Sequence, residues 1–338
     1  MSGPARGLRL RGRIELPDFP VDAAWTPDGT AVAIAGGEGA VLLVDTAPAL
    51  AVRQIGAHGG GVLALAWQRA GPLFASSGQD GVVLLWDVRT LAPRTVYEGT
   101  AWCDRLGFAD HGRLLAVTGG RTLLVFDASG ALLHSFGGHA GVIAALAWRP
   151  KVSEIAVAGN GGARIHRLEP NLSSRDYPAT GACLTAGWNA DGRLLAAGMQ
   201  EGTVQLWNVA TGQHSQLPGQ GGKIKAAAWS GNGRYLATAA GEQLIAWDFN
   251  VRGREPAEPV PLRAHSERLS ALAFRPGTSV LVSAARDRRL LLWRLGGGTQ
   301  PADAHLLREE CTFLRFSRDG TQLAVGDAAG GCSLFDCA

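Results

Sequence analysis

Apolar runs of about six residues, each broken by a turn rich in Gly, Asp or Asn, recur along the whole chain. Half of the recurring pattern is an aromatic residue followed by a turn, as in AAWTPDG, LAWQRAG, LGFADHG, LAWRPKV, AGWNADG, AAWSGNG, LAFRPGT and LRFSRDG. The aromatics are Trp25, Trp67, Phe108, Trp148, Trp188, Trp229, Phe274 and Phe316, spaced 42, 41, 40, 40, 41, 45 and 42 residues apart. A fixed period of this length signals repeated supersecondary units. In six copies a glycine (29, 71, 112, 192, 233 or 320) stands four residues after the aromatic, as a turn through positive φ requires.

The other half reads GAVLLVD, GVVLLWD, RTLLVFD, GARIHRL, GTVQLWN, EQLIAWD, RRLLLWR and GCSLFDC. Its key residues are Val44, Trp86, Phe126, His166, Trp207, Trp247, Trp293 and Phe335, 18 or 19 positions after the first aromatic. Between the halves lies a short apolar run such as RLLAAG or RYLATAA, of strand length and closed by Gly or a polar pair. Each unit therefore predicts strand, turn, strand, hairpin, strand, and a less regular segment with room for a fourth strand.

Composition agrees with a turn-rich β protein. Charged residues are 18% of the chain and glycines number 47, against typical values of about 25% charged and about 7% Gly. The net charge of +3 is spread without a basic block, so no electrostatic footprint for nucleic acid is expected. Lys occurs only at 151, 223 and 225 against many Arg, which reads as the coding bias of a GC-rich bacterium. The opening MSGPARGLRLRGRIELP lacks the apolar core of a signal peptide, and no apolar run of about 18 residues follows. A soluble, cytoplasmic protein with no membrane contact is expected. Five cysteines without CxxC spacing fit a reduced compartment. Cys103, Cys183 and Cys311 stand where other units have Val62, Ile143, Ile224 and Leu269, so they read as core residues.

A four-stranded unit of about 40 to 45 residues ending in Trp-Asp resembles the WD40 repeat. The resemblance runs from about residue 7 to 338, and unit two, GAHGGGVLALAWQRAGPLFASSGQDGVVLLWDV, carries it best. It implies an all-β chain, residues 1–338 forming a single closed β-propeller of four-stranded blades, with eight blades counted and seven as the alternative. The last unit stops at its third strand, CSLFD, while LRLRGRIEL near the start belongs to no unit. Residues 7–16 are therefore expected to be a closing strand for the last blade, leaving 17–338 as eight repeats of about 40 to 46 residues.

Nine of the ten tryptophans fall at the two repeat positions, where packing between sheets would bury about 150 to 250 Å² each. Ser, His and Asp also recur, a combination that elsewhere serves nucleophilic catalysis. Here the sets are His58, Ser76, Asp80 and Trp86 in unit two, and His265, Ser283, Asp287 and Trp293 in unit seven. Two identical sets on separate units argue against one active site. Their spacing resembles the family's structural tetrad, which implies a hydrogen-bonded chain within one blade. Unit four keeps His139 but has Ala156 and Asn160, unit five has Ala197 and Glu201, and unit six keeps Thr238 with a shortened hairpin. These three are expected to rely on apolar packing. The Gly-rich pieces AGGEGAV and PGQGGKI lack a P-loop's following helix or its Ser/Thr, with Ile224 after Lys223. No catalytic, cofactor-binding or metal residues are assigned.

The resemblance places docking on the channel face, where the residues just before each innermost strand gather. These are Phe19, Gly61, Trp102, Val142, Ala182, Lys223, Arg268 and Glu310, with Asp18, Glu267 and Glu309 beside them. Trp102 is the one tryptophan off the core positions, and Trp and Arg are enriched in binding hot spots, so Trp102 with Arg268 is the leading contact pair. Gln79, Gln200 and Arg286 on the hairpins extend the patch, and the proline-bearing segment 250–265 is a second candidate contact. The expected function is a non-enzymatic protein-interaction scaffold: a monomeric ring binding proteins or peptides as a subunit of a cytoplasmic complex. The competing expectation is a small-molecule or cation binder, or an enzyme, using Asp18, Glu267, Glu309 and Glu310 at the channel mouth.

Overall fold

Strands buried on both faces need apolar side chains at every position, and the middle strands of the units have them. Ala31–Gly36 and Tyr235–Ala240 are buried throughout, whereas the outer strand Pro93–Glu98 is largely exposed. The computed structural model describes residues 7–46, 50–249 and 259–338; among these all regular structure is β-strand.

Repeat two shows the plan: Val62–Trp67, Leu73–Gly78, Val82–Asp87 and Pro93–Glu98 pair in that order, each antiparallel to the next. Repeats one, three, six and seven are built alike. Repeat eight has three strands of its own, Cys311–Phe316, Gln322–Asp327 and Gly331–Cys337, and Leu8–Glu15 adds the fourth, from Leu8 opposite Cys337 to Glu15 opposite Gly331. The strands thus form an all-β, propeller-type set of sheets.

There are seven sheets, not the eight counted from the sequence, because repeats four and five share one six-stranded sheet. Two long strands cause this, Glu154–Arg167 with 14 residues and Ser173–Trp188 with 16. Residues 155–159 pair with Ile143–Trp148 and residues 160–167 with Ser173–Trp188, while Gly161 (φ 84°) and Gly162 (φ 120°) turn the chain so that Leu168 N donates to Ser153 O at 2.9 Å. The connector ATGA at 179–182 lies within the strand Ser173–Trp188, with Gly181 at φ 93°, where repeat two is preceded by the bend HGGG at 58–61.

The described residues divide into two compact units, Asp18–Trp188 and Met1–Pro17 with Asn189–Ala338. Within the first, cores lie between consecutive sheets: Ala33, Val41 and Leu43 of repeat one pack with Leu65, Phe74 and Trp86 of repeat two. Repeats two and three, and three and four, share cores in the same way. In the other unit, repeat seven's Val282 and Leu292 join repeat eight's Leu323 and Phe335, with Leu8 from the added strand. At about 25 cal/mol per Å² of apolar surface, these interfaces supply the main stabilising term.

The first-position tryptophans also tie sheets together. The indole N–H of Trp67 donates to Ala24 O (2.8 Å), that of Trp148 to Gly107 O (2.7 Å) and that of Trp188 to Ala147 O (3.1 Å). Each acceptor immediately precedes the aromatic of the preceding repeat, so one side chain fills the core and stitches it.

Candidate functional site

Each repeat's hairpin between its second and third strands turns through a residue with positive φ. Seven repeats use glycine there, such as Gly81 (φ 73°) and Gly202 (φ 90°); repeat seven has Arg288 at φ 61°. Just past this residue an N–H needs an acceptor, and in four repeats a carboxylate provides it. Asp18 accepts from Ala40 N at 3.0 Å, Asp80 from Val82 N at 3.1 Å, Asp287 from Arg289 N at 3.0 Å and Asp327 from Gly331 N at 3.2 Å. Asp80 and Asp287 lie on the hairpin, Asp18 before the first strand and Asp327 at the end of the second.

In repeat two the carboxylate belongs to a continuous chain. Trp86 Nε1 to Ser76 Oγ is 3.0 Å, Ser76 Oγ to His58 Nε2 is 2.8 Å, and His58 Nδ1 to Asp80 is 3.1 Å. An indole N–H only donates, so Ser76 accepts from Trp86, donates its own proton to Nε2, and leaves Nδ1–H to donate to Asp80. Repeat seven repeats the chain through Trp293, Ser283, His265 and Asp287 at 2.8, 2.8 and 3.0 Å. Burial works to raise both Asp pKa values, but backbone N–H groups and the paired His outweigh it and hold both carboxyls below the usual range. Burial pushes His265 down. The Ser oxygen is enclosed and spent on two partners, which makes the set a structural brace.

Repeat four departs from the expectation of purely apolar packing. His139 Nδ1–H donates to Arg121 O (2.9 Å), His166 Nε2–H donates to His139 Nε2 (3.3 Å), and Ser174 Oγ–H donates to His166 Nδ1 (2.8 Å). A carbonyl only accepts, which fixes the direction of the whole chain with both imidazoles neutral. The Phe136 ring packs against His166 with centroids 4.2 Å apart and planes tilted by 33°. Burial, then the neighbouring His139 and Arg164, lower the His166 pKa to about 4. Repeat five likewise holds polar links, His214 to Gln205 at 2.7 Å and Gln205 to Gln216 at 3.0 Å, with His214 stacked on Trp207. Repeat six keeps only the bond from Trp247 Nε1 to Thr238 Oγ1, 2.9 Å.

Before the first strand of four repeats, the backbone carbonyl is pinned while the side chain varies. Phe19 O accepts from Gly37 N (2.7 Å), Gly61 O from Gln79 N (2.9 Å), Arg268 O from Arg286 N (2.9 Å) and Glu310 O from Ala328 N (2.8 Å). In the unit Asp18–Trp188 this position carries exposed apolar groups: Phe19 is 42%, Trp102 59% and Val142 61% exposed. In the other unit it carries charge. The side chains of Lys223, Glu267, Arg268 and Glu309 are exposed and make no hydrogen bond or ion pair among the described residues. Arg286 pairs with Glu310 at 3.1 Å, and Gln79 and Gln200 are exposed on their hairpins.

Asp18 is a correction. It is buried, and its carboxylate accepts from Glu38 N and Ala40 N, so it braces a hairpin and offers no free charge to a partner or cation. Among the described residues, no group of three or more His, Cys, Asp or Glu is placed to hold a metal ion. All five cysteines are buried free thiols, with Cys103 pushed up to about 11 mainly by burial. Of the segment 250–265, residues 250–258 lie outside the described residues.

The sheets and braces define a class, and sequence comparison agrees with it. Residues 51–87, 177–208 and 259–294 match the family described as WD domain, G-beta repeat, so WD40 repeats are detected in three stretches of this β-propeller chain. It is 25% identical to cell division cycle 20.1, cofactor of APC complex, of Arabidopsis thaliana, over 82% of this chain and 54% of that protein. It is 21% identical to WD repeat-containing protein slp1 of Schizosaccharomyces pombe, over 83% and 50%. It is 24% identical to autophagy-related protein 16 of Arabidopsis thaliana, over 84% and 57%. The chain thus spans about half the length of the curated relatives it matches. These relatives are eukaryotic, and a bacterial source, expected from the Arg-rich composition, finds no support among them.

Proposed function

We propose that this protein is a non-enzymatic interaction scaffold, working as one subunit of a cytoplasmic complex and docking a protein or peptide at the residues that precede the first strands. The observation that carries the reading is the recurrence of exposed Phe19, Trp102 and Val142 at one repeat position of one compact unit. Single exposed apolar residues are ordinary, but large ones repeated at one position form a surface suited to a desolvated anchor. The naming of similar proteins as a cofactor or subunit of the anaphase-promoting complex supports the adaptor class. In the other unit, exposed Lys223, Arg268 and Glu309 at the same repeat position or beside it suit charge-based selection of a partner.

The test compares Trp102→Ala, Arg268→Ala and the double variant in affinity capture from native lysate, with circular dichroism confirming the fold. A partner held by wild type and lost from folded Trp102→Ala supports the reading. Equal capture by every variant would move docking elsewhere on the molecule.

A further inference from the structure

A cavity of about 270 Å³ opens in repeat four, at the place where repeats two and seven keep their hairpin carboxylates. Its lining includes His139, Ala140, Gly159, Asn160, Arg164 and Asp176. Counted from the first aromatic, His139 corresponds to His58, Ala140 to Gly59 and Gly159 to Gly78; counted back from His166, Asn160 corresponds to Asp80, repeat four being one residue shorter between the two.

In repeat two that space is filled. Asp80 accepts from Gly59 N at 2.8 Å and Val82 N at 3.1 Å, and a Cβ added to Gly78 would meet Asp80 Oδ1 and His58 Nδ1 at 3.0 Å. In repeat seven Asp287 takes the same bonds from Ser266 N and Arg289 N, both near 3.0 Å. In both repeats the atom nearest such a Cβ is a backbone oxygen, Gly61 O at 2.9 Å for Gly78 and Val142 O at 2.6 Å for Gly159, but at Gly159 the next nearest atoms are backbone of Val142 and Ile143 and no carboxylate or imidazole stands among the three nearest. The Asn160 side chain is exposed and makes no hydrogen bond among the described residues, and neither does Ala140 N–H. The His139 imidazole is drawn away to Arg121 O.

The recurrence is what gives this cavity meaning. Four repeats bring a carboxylate to the hairpin, from three different places in the sequence, so the hairpin backbone favours that group whatever its origin. In repeat four the chain supplies an amide instead. We propose that this cavity binds a small carboxylic acid, whose carboxylate takes the place that Asp80 and Asp287 occupy in their repeats. Ala140 N–H and the Asn160 amide donate to it, and Arg164 supplies positive charge from the wall. The Arg164 guanidinium is shared with Asp176, at 2.5 Å, so the site has no net positive excess to attract larger polyanions. The walls Val142, Val157 and Pro178 accept a short aliphatic tail. This proposal does not depend on the docking function above.

The test is a TROSY NMR titration of the full chain with sodium acetate against sodium chloride at constant ionic strength, with acetamide as the neutral control. The Ala140 and Gly162 amide resonances are expected to shift and saturate at roughly millimolar acetate, as suits a ligand of four heavy atoms. Chloride and acetamide are expected to leave them in place. In Asn160→Asp the carboxylate is supplied in cis, so the same resonances are expected to start near the acetate-bound position and no longer respond. Shifts of equal size with chloride, no shift at all, or an unchanged acetate response in Asn160→Asp would each overturn the proposal. A blocked Ala-Asp-Ala peptide adds a final arm: tighter binding than acetate makes a protein side chain the natural source, and weaker binding makes it a free acid.

Discussion

Repeats seven and four occupy equivalent places in the pattern and treat their buried polar groups in opposite ways. Repeat seven runs Trp293, Ser283, His265 and Asp287 into one chain ending in a carboxylate held by backbone N–H groups. Repeat four runs Ser174, His166 and His139 into a chain ending in a carbonyl, with a cavity beside it. One ends in charge, the other is neutral throughout. The strand pattern therefore tolerates different internal chains, provided every buried donor finds an acceptor.

The largest expected difference is in pH response. With His166 at about 4 in the folded state and about 6.5 unfolded, the unfolded chain takes up a proton that the folded repeat does not. The stability His166 contributes is present above pH 6.5 and falls as pH drops towards 4, by about 2 to 3 kcal/mol. Urea unfolding of wild type and His166→Phe at pH 7 and pH 4.5 checks this; the gap between the two pH values should shrink by that amount in the variant. Ser283→Ala comes next, at about 2 kcal/mol, because it strips a partner from both Trp293 and His265. The same change at Ser76 should match it, and a loss confined to one of the two would end the equivalence of the two repeats.

Smaller effects sharpen the comparison. Gln220 stands at the tetrad His position of repeat six, four residues before Ile224, with neither amide atom hydrogen-bonded. Gln220→Met should raise stability by about 1 kcal/mol, seen as a higher denaturation midpoint with an unchanged slope. Arg288→Gly relieves a left-handed backbone but loosens the unfolded chain, so its net gain should be up to about 1 kcal/mol. Arg9→Gln with Arg11→Gln removes exposed pairs to Asp336 and should cost under about 1 kcal/mol, less at high salt.

The period of the repeats was legible because sheets buried on both faces demand apolar runs and fixed turns, which leave a mark at every copy. The His58 and His265 chains were legible for the same reason, since all four members keep their spacing. The chain in repeat four was not, because His166 stands where tryptophan is expected and Ser174 lies on a strand without a repeat signature. Asp18 misled because it performs Asp80's task from a different position, and only the folded hairpin reveals the shared N–H. The merging of repeats four and five depends on the connector 179–182, which lies within one strand although its composition, with Gly181 at φ 93°, resembles that of a turn. Exposure at Phe19, Trp102 and Val142 did not follow from position, since Gly61 at the same position is buried, and the pinning of the Phe19, Gly61, Arg268 and Glu310 carbonyls was not legible because backbone bonds carry no side-chain signature.

The pairing of Leu8–Glu15 with Gly331–Cys337 has a consequence in time. Arg9 meets Asp336 across 327 positions of sequence, so during synthesis the early strand waits roughly 20 to 60 s for its partner. Through that interval it is an unpaired edge, open to joining another chain. Arg9, Arg11 and Arg13 fall on alternate positions of this strand, and such charges discourage edge-to-edge association. The same residues then pair with Asp336 and Asp327 once the final strand arrives. The arginines thus guard the nascent chain first and fasten the finished sheet afterwards.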